Sequence, residues 1–333
     1  MKAVQMTAVG NPEVLVLADM DEPAISTPTQ LKVQLKAAGV NPVDTKLRSR
    51  GVFYPDALPA VLGCDGAGVV TGVGAAVTRF RPGDAVWFCN GGLGGAQGNY
   101  AEYTVIEEAV ARPKPAGLDF VAAAAMPLVL ITAWEALFDR ARLQAGQSVL
   151  IHAGGGGVGH VAIQLAKHRG ARVLTTVGSA ENAQFVAALG ADEAILYPEQ
   201  DFVAAVAGLT GGRGVDVALD SVGGEIFRNS VRAVAHYGDL VTLLDPGPGV
   251  EWKEARNRNL RIGFELMLTP MLADLPEARA RQGEILDACA ALFASGHLRA
   301  HVSQTLPLAP AAEAHRRLEQ GHMQGKLVLI IND

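Results

Sequence analysis

The spacing of apolar residues along the chain changes near residue 120. Before that point, apolar alternations at 31–40, 67–74, 84–88 and 101–106 are separated by Gly, Pro, Asn and Asp, which is typical of strands joined by turns. After it, short apolar runs alternate with segments in which apolar residues recur at helical spacing. The pattern predicts an α/β protein in which a β-rich, barrel-like domain precedes a domain built on a doubly wound parallel sheet.

Four consecutive glycines separate an apolar run at 148–153 from a helical pattern that begins at Val158. Such glycines serve either as a flexible tether or as a cradle for phosphate. A tether has no need of a strand and a helix at its two ends, whereas a dinucleotide site requires both. Gly154, Gly156 and Gly159 satisfy G-x-G-x-x-G, and the N-terminus of the following helix offers N–H groups to phosphate oxygens. The segment therefore predicts a dinucleotide site.

The end of the next predicted strand, 172–177, bears on which dinucleotide binds. An Asp or Glu about 20 residues after the glycines would bind the ribose 2′-hydroxyl of NAD. The chain offers Val177, Gly178, Ser179 and Ala180 there, with no acid before Glu181. Because an acid would repel a 2′-phosphate and Ser179 could donate a hydrogen bond to one, the sequence favours NADPH, although this segment also lacks a cation.

The remaining elements complete the outline of the chain. Further elements are predicted as strands at 193–197, 215–220 and 238–244, an amphipathic helix at 275–298 and a final strand at 325–331. The final strand has no predicted partner in its own segment, so we expect it to return to an earlier domain.

Composition excludes several classes of function. Apolar residues make up 49% of the 333 residues and the net charge is −6, which predicts a globular protein without a nucleic-acid surface. The most apolar stretch, 121–134, is interrupted by Pro127 and is shorter than a membrane span, and no signal peptide is recognisable. Three cysteines do not make a disulfide framework. We expect a cytoplasmic protein.

The chain resembles the zinc-independent branch of the medium-chain dehydrogenase/reductase superfamily, the quinone oxidoreductases and zeta-crystallin-like enoyl reductases, nearly from end to end. The matching segments are AAGVNPVDTKLRSRG at 37–51, LGCDGAGVVTGVG at 62–74, RPGDAV at 81–86, LITAWEAL at 130–137, HAGGGGVGHVAIQLAK at 152–167 and DSVGG at 220–224. The resemblance implies a GroES-like catalytic domain at 1–121 and a Rossmann domain at 122–264. It also implies that the segment 265–333 returns to the catalytic domain.

The resemblance also implies an activity and a site. It implies hydride transfer from NADPH to a quinone or an α,β-unsaturated carbonyl, in a cleft between the domains that is lined by Asn41, Asp44, Tyr54 and Thr132. Asn41 and Thr132 would lie near the nicotinamide, Tyr54 would bind the acceptor or relay a proton, and Asp44 would orient its neighbours. The implied cofactor-binding residues are Gly154, Gly156, Gly157, Val158, Gly159, Gly178, Ser179, Asn182, Tyr197, Ser221, Val222 and Leu243.

Zinc-dependent members of the superfamily place ligands at positions that match Asn41, Cys64 and approximately Leu128, with a Glu at the position of Asp65. A catalytic zinc needs three N, S or O ligands around an open position, and Cys64 with Asp65 does not provide them. The four cysteines of the structural zinc lobe are also missing, since 88–100 contains only Cys89. The sequence therefore predicts no metal site.

Three residues depart from the pattern of the family. Lys46 replaces a common Tyr, which would allow an anionic acceptor. Asn182 and Gly321 stand where relatives carry a Lys or an Arg for the 2′-phosphate, so the preference for NADPH is expected to be reduced.

The histidines do not form a catalytic group in the sequence. We interpret His152, His160 and His168 as strand, helix and surface residues.

Two alternatives stay open: a zinc-dependent alcohol dehydrogenase, and a nucleotide-binding protein with a structural or regulatory role. A pure binding protein would not need the acceptor residues at 41, 44, 54 and 132. The family resemblance also implies a homodimer that pairs Rossmann sheets through an edge near 241–244 or 260–264.

Overall fold

Residues 1–331 are described by a computed structural model, in which the chain forms two compact units. The first unit contains Met1–Leu128, Leu268–Gly296 and the chain from Ala300, and the second contains Val129–Met267 with His297–Arg299. The boundary between the two units after Leu128 lies later in the chain than the predicted domain boundary after residue 121. The reason is that the helix Phe120–Ala125 packs against strands of the first unit.

The regular elements alternate along the chain as follows. The strands are β1 (Lys2–Met6), β2 (Leu15–Asp19), β3 (Gln30–Val40), β4 (Ala60–Val61), β5 (Asp65–Val73), β6 (Ala85–Cys89), β7 (Tyr103–Glu107), β8 (Arg112–Pro113), β9 (Ser148–Ile151), β10 (Arg172–Val177), β11 (Glu193–Leu196), β12 (Val215–Asp220), β13 (Val234–Thr242), β14 (Arg261–Phe264), β15 (Val302–Pro307) and β16 (Lys326–Ile330). The α-helices are α1 (Pro42–Arg50), α2 (Phe120–Ala125), α3 (Pro127–Trp134), α4 (Gly157–His168), α5 (Ala180–Ala188), α6 (Phe202–Leu209), α7 (Gly224–Ala233), α8 (Trp252–Asn257), α9 (Thr269–Leu272), α10 (Pro276–Ala294) and α11 (Ala311–Gln320). Shorter helical turns are Pro12–Val14, Pro55–Ala57, Glu108–Val110 and the wider turn Glu135–Arg140.

The first unit is built on a curved, mostly antiparallel sheet. Its strand order is β15-β16-β3-β5-β6-β8, with β7 also paired to β3, and a small sheet β2-β1-β4 lies beside it. Alternate residues of β3, among them Leu31, Val33 and Leu35, are buried in a core with Phe88 and Ile106. This alternation is the one that the sequence showed, since one face of each strand covers the core. The expectation that the last strand has no partner in its own segment is wrong, because β16 pairs with β15 as well as with β3.

The second unit is a parallel sheet of order β11-β10-β9-β12-β13-β14, which is the doubly wound order that the alternating pattern predicted. All four residues of β9 are buried, and Leu150, Leu174 and Leu240 pack in a core with apolar residues of α6 and α7. Strands β10 and β12 have the bounds that the sequence predicted. Strand β9 ends two residues early, because Ala153 turns the chain with a φ of 52°.

The two edge strands of this sheet are β11 and β14. Residues 241–242 lie in β13, which is hydrogen-bonded to β12 and β14, so the prediction that the edge lies near 241–244 is wrong. The alternative segment, 260–264, contains β14. Within residues 1–331, no helix has the length and apolar character needed to cross a membrane.

Candidate active site

The glycine turn between β9 and α4 is packed too tightly for side chains at two of its positions. A Cβ at Gly154 would lie 2.0 Å from Oγ1 of Thr175, and one at Gly159 would lie 2.3 Å from the carbonyl oxygen of Ala153. Gly154 therefore brings the turn against β10, and Gly159 brings the first turn of α4 against the loop. These two glycines are required by the packing of the protein itself.

Gly156 is different because the protein does not fill the space beside it. Its φ of −79° suits any L-residue, and a Cβ there would meet only the Ala153 oxygen, at 3.3 Å. The first N–H groups of α4 have no acceptor within the helix and lie at the positive end of its dipole. A turn that is open at Gly156 and is followed by unpaired N–H groups fits the pyrophosphate of a dinucleotide.

The residues expected around the adenosine ribose lie beside this turn. Ser179 is the N-cap of α5, and its Oγ accepts a hydrogen bond from the N–H of Asn182 at 3.1 Å. A Cβ on Gly155 would lie 3.1 Å from Oδ1 of Asn182, and one on Gly178 would lie 2.7 Å from the hydroxyl of Tyr197. The Tyr197 ring is exposed. Gly178, Ser179, Asn182 and Tyr197 thus form one surface next to the glycine turn.

A buried carboxylate that sequence analysis missed shapes the neighbouring strand ends. Asp220, the last residue of β12, accepts hydrogen bonds from the N–H groups of Val222 and Gly223 at 2.9 Å and from Oγ1 of Thr242 at 3.0 Å. Its own carbonyl accepts from the N–H of Leu243 at 2.9 Å.

Two of the expected binding residues follow Asp220 directly. The hydroxyl of Ser221 donates to the His152 carbonyl at 3.2 Å, and the Val222 side chain is exposed. Ser221, Val222 and Leu243 therefore lie at the carboxyl edge of the sheet, where ligands of such sheets bind. The signal that could have revealed Asp220 is an acid at the end of an apolar strand.

In the first unit, Asn41 is fully buried, and its amide is held at both ends. Its Oδ1 accepts a hydrogen bond from the ammonium of Lys326, and its Nδ2 donates to Oδ2 of Asp65 at 2.9 Å. Its backbone N–H donates to Oδ2 of Asp44 at 2.8 Å, at the start of α1. The structure thus brings Asn41 and Asp44 together.

Asp44 is a buried acid with few partners. Its Oδ2 also accepts a hydrogen bond from the Tyr100 hydroxyl at 3.1 Å, and that hydroxyl lies 3.3 Å from Nε2 of His315. Oδ1 of Asp44 is buried without a hydrogen bond among the described residues. Burial raises the pKa of Asp44 from its usual value of 3.8 to about 7. Near neutral pH this side chain is therefore divided between its acid and its carboxylate form.

Lys326 is a buried cation that sequence analysis did not single out. Its ammonium donates to the carbonyl of Val40 at 3.1 Å and lies 3.9 Å from Oδ2 of Asp65. Burial lowers the pKa of Lys326 and raises that of Asp65 to about 6, while their mutual attraction opposes both shifts. The pair lies among apolar strands, where each charge depends on the other.

Cys64 and Asp65 are both buried, and both carboxylate oxygens of Asp65 accept hydrogen bonds from the protein. Oδ1 of Asp65 accepts from the N–H of Leu128 at 2.8 Å, and Oδ2 is taken by Asn41. Burial raises the pKa of the Cys64 thiol. Across residues 1–331, no three His, Cys, Asp or Glu side chains form a group that could hold a metal ion.

The other expected residues have varied surroundings. Tyr54 is 43% exposed and packs against Gly95, where a Cβ would lie 3.0 Å from its ring. Thr132 is buried on α3 in the second unit. Lys46 is half-buried, and burial lowers its pKa. Gly321 ends α11 with a φ of 74°, a backbone conformation that an Arg at this position would strain.

Comparison with known proteins agrees with this fold. Residues 27–116 match the alcohol dehydrogenase GroES-like domain, and residues 189–329 match the zinc-binding dehydrogenase family. A quinone oxidoreductase of Pseudomonas aeruginosa is 35% identical over 332 residues, which cover 99% of each chain.

Two crystal structures resemble the whole chain. An NAD-dependent alcohol dehydrogenase has a TM-score of 0.90 at 36% identity, with both chains fully covered. The Escherichia coli quinone oxidoreductase complexed with NADPH has a TM-score of 0.89 at 32% identity, and the match covers 99% of this chain and 100% of that one.

A GroES-like domain combined with a Rossmann domain and its glycine turn defines the medium-chain dehydrogenase/reductase class. Within that class, the chain belongs to the quinone oxidoreductase family, because its relationship to the Pseudomonas aeruginosa protein extends over the full length at 35% identity. The resemblance inferred from the sequence motifs is thereby confirmed.

Proposed function

We propose that the protein is an NADPH-dependent reductase that delivers hydride to a quinone or to the β-carbon of an α,β-unsaturated carbonyl. The observation that carries the proposal is the glycine turn, which is open at Gly156 and lies beside Ser179 without an acid in 177–180. Relatives named quinone oxidoreductase, and the Escherichia coli structure with NADPH, support this assignment.

The cofactor, when bound, supplies a hydride, and the chain supplies the remaining requirements of the reaction. The N-terminus of α4 and the turn around Gly156 would hold the pyrophosphate, and Ser179, Asn182 and Tyr197 would hold the 2′-phosphate. Asn41, Asp44, Tyr54 and Thr132 form the acceptor side in this proposal. Lys326 and Asp65 hold the Asn41 amide in one orientation, and Asp44 is a buried acid that orients the start of α1.

The proposed reaction proceeds without a metal. Support comes from the donor set, since both oxygens of Asp65 accept hydrogen bonds from the protein, and residues 1–331 contain no group of three His, Cys, Asp or Glu side chains that could hold a metal ion. Positioning and hydrogen bonding then have to supply the catalysis, which suits an electron-poor acceptor and does not suit an unactivated alcohol.

The test is consumption of NADPH, followed by its absorbance, with 1,2-naphthoquinone, with a 2-alkenal and with an enoyl thioester. We expect turnover of at least one of these acceptors and slower turnover with NADH. A protein that binds NADPH but reduces none of them would favour a structural or regulatory nucleotide-binding role instead.

The proposed assembly is a homodimer in the cytoplasm that pairs the sheets through β14. Two large apolar side chains at this edge, Phe264 and Leu266, are 59% and 50% exposed, which supports an interface there. We expect a dimer by light scattering at micromolar concentration and a monomer for Phe264→Lys. A parent protein that is monomeric under these conditions would contradict the assembly.

A further inference from the structure

His152, the first residue after β9, is buried with both ring nitrogens in hydrogen bonds. Nδ1 lies 3.1 Å from Oγ1 of Thr176 on β10, and Nε2 lies 2.9 Å from Oγ of Ser230 on α7. The ring also meets Phe202 of α6 edge to face, with 4.8 Å between centroids. Three elements thus hold a polar side chain directly behind the glycine turn.

The contacts of Ser230 determine which ring nitrogen carries the proton. The Ser230 hydroxyl lies 2.7 Å from the carbonyl oxygen of Ile226, which can only accept. A hydroxyl has one proton, so Ser230 donates to Ile226 and must accept from His152. In the neutral imidazole, Nε2 therefore carries the hydrogen and Nδ1 is an acceptor.

The same reasoning applies on the other side of the ring. Oγ1 of Thr176 accepts a hydrogen bond from the N–H of Ala153 at 3.1 Å, and its own proton is directed to Nδ1 of His152. The result is a chain of donors in a single direction, from the Ala153 N–H through Thr176, His152 and Ser230 to the Ile226 carbonyl. Every donor in this chain is used once.

Ala153 is the residue that this row of hydrogen bonds holds in place. Its φ of 52° lies in the left-handed region, which is costly for a residue with a Cβ. Its carbonyl accepts from the N–H of Gly156 at 2.9 Å, so its conformation determines where the open side of the turn faces. An anchor on the Ala153 N–H consequently fixes the position of Gly156.

We propose that His152, as the neutral Nε2–H tautomer, is a positioning residue for the dinucleotide: through Thr176 it holds Ala153 and so keeps the glycine turn in its binding conformation. The inference rests on the proposed function, because it concerns the same cofactor site. Burial keeps the ring neutral by lowering the pKa of His152 to about 4, while the carboxylate of Asp220 favours the charged form.

The first test uses Thr176→Val, which keeps the shape of a buried side chain and removes the hydroxyl. We expect the Kd for NADPH to rise about tenfold, because the Ala153 N–H and Nδ1 of His152 lose their partner. The KM for NADPH should rise with it, while kcat at saturating NADPH and the KM for the acceptor stay unchanged. Thr176→Ser, which keeps the hydroxyl, should restore binding.

Thr104→Val is the matched control. Thr104 is a buried strand residue of the first unit, and its hydroxyl has no hydrogen-bond partner among the described residues. The same substitution there should leave NADPH binding unchanged. If Thr176→Val binds NADPH as tightly as the parent, the inference is wrong, whereas a parent that binds no dinucleotide would refute the proposed function.

The second test measures the protonation of the His152 ring directly in the parent protein. In protein labelled with ¹⁵N-histidine, the His152 ring should show a protonated Nε2 and an unprotonated Nδ1 at neutral pH, with and without NADPH. The resonance is assigned by its shift in Thr176→Val. A His152 ring protonated at Nδ1, or at both nitrogens, would overturn the proposed order of hydrogen bonds.

Discussion

Substitution with alanine at two glycines of the turn should have opposite consequences for stability: Gly159→Ala should destabilise the protein, and Gly156→Ala should not. At Gly159, an added methyl would lie 2.3 Å from the Ala153 oxygen and 2.7 Å from Cα of Gly154. Both atoms belong to the backbone, so α4 or the turn must move, and such overpacking costs about 1–3 kcal/mol. Gly159→Ala should therefore lower the thermal midpoint of the protein by several degrees.

At Gly156 the calculation gives almost no change in stability. At an N-cap, alanine in place of a capping residue costs typically about 1 kcal/mol and glycine only a few tenths, so replacing glycine with alanine costs somewhat less than about 1 kcal/mol. The smaller entropy of the unfolded alanine chain returns about 0.4–1 kcal/mol where the backbone already suits alanine. The contact of 3.3 Å with the Ala153 oxygen needs only a slight adjustment. Gly156→Ala should consequently unfold at nearly the parent temperature.

NADPH binding, unlike stability, should be weakened by the substitution at Gly156. The methyl of Gly156→Ala points to the side where the pyrophosphate is proposed to approach. Losing one charge-assisted hydrogen bond costs about 1.5–3 kcal/mol, which weakens binding roughly 10- to 100-fold. Gly156→Val should abolish binding.

Calorimetric or fluorescence titration with NADPH, together with thermal unfolding of each variant, provides the two measurements. Parent-like binding by Gly156→Val would refute the phosphate cradle. A loss of stability in Gly156→Ala equal to that in Gly159→Ala would show that the side beside Gly156 is not open.

Three further predictions concern the cofactor, the metal and the pH dependence. Asn182→Lys should tighten NADPH binding about tenfold and leave NADH binding nearly unchanged, because a cation would then lie beside Ser179. An affinity for NADPH equal to that of the parent would show that the phosphate pocket is misplaced. Exhaustive chelation should leave activity unchanged, and elemental analysis should find less zinc than protein; activity that is lost on chelation and restored by zinc would contradict the metal-free proposal. Because the pKa of Asp44 is raised in the folded state, its contribution to the free energy of unfolding is complete below pH 3.8 and is lost as the pH rises to about 7. Urea denaturation across this range should show a steeper loss of stability for the parent than for Asp44→Asn, and equal slopes would mean that Asp44 titrates normally.

Local patterns in the sequence determined a large part of this structure. The bounds of β10 and β12, the helix after the glycines and the parallel sheet follow from the periodicity of apolar residues and from the special conformations of glycine. The glycine motif was also visible, because its residues are close in the chain and each performs a local geometric task.

Tertiary structure alone decided the polar clusters. Lys326 meets Asn41 across 285 residues of chain, and Tyr100 meets His315 across 215, so no spacing in the sequence could pair them. The structure also gave the distances behind the motif: a Cβ at Gly154 or Gly159 would lie 2.0 or 2.3 Å from a neighbouring oxygen, whereas one at Gly156 would meet only the Ala153 oxygen, at 3.3 Å. The role proposed for His152 depends on Thr176 and Ser230, which lie on either side of its ring and come from separate segments of the chain. The physical reason is that backbone propensity acts between neighbours in the chain, whereas buried hydrogen bonds and charges depend on which distant strands and helices come together.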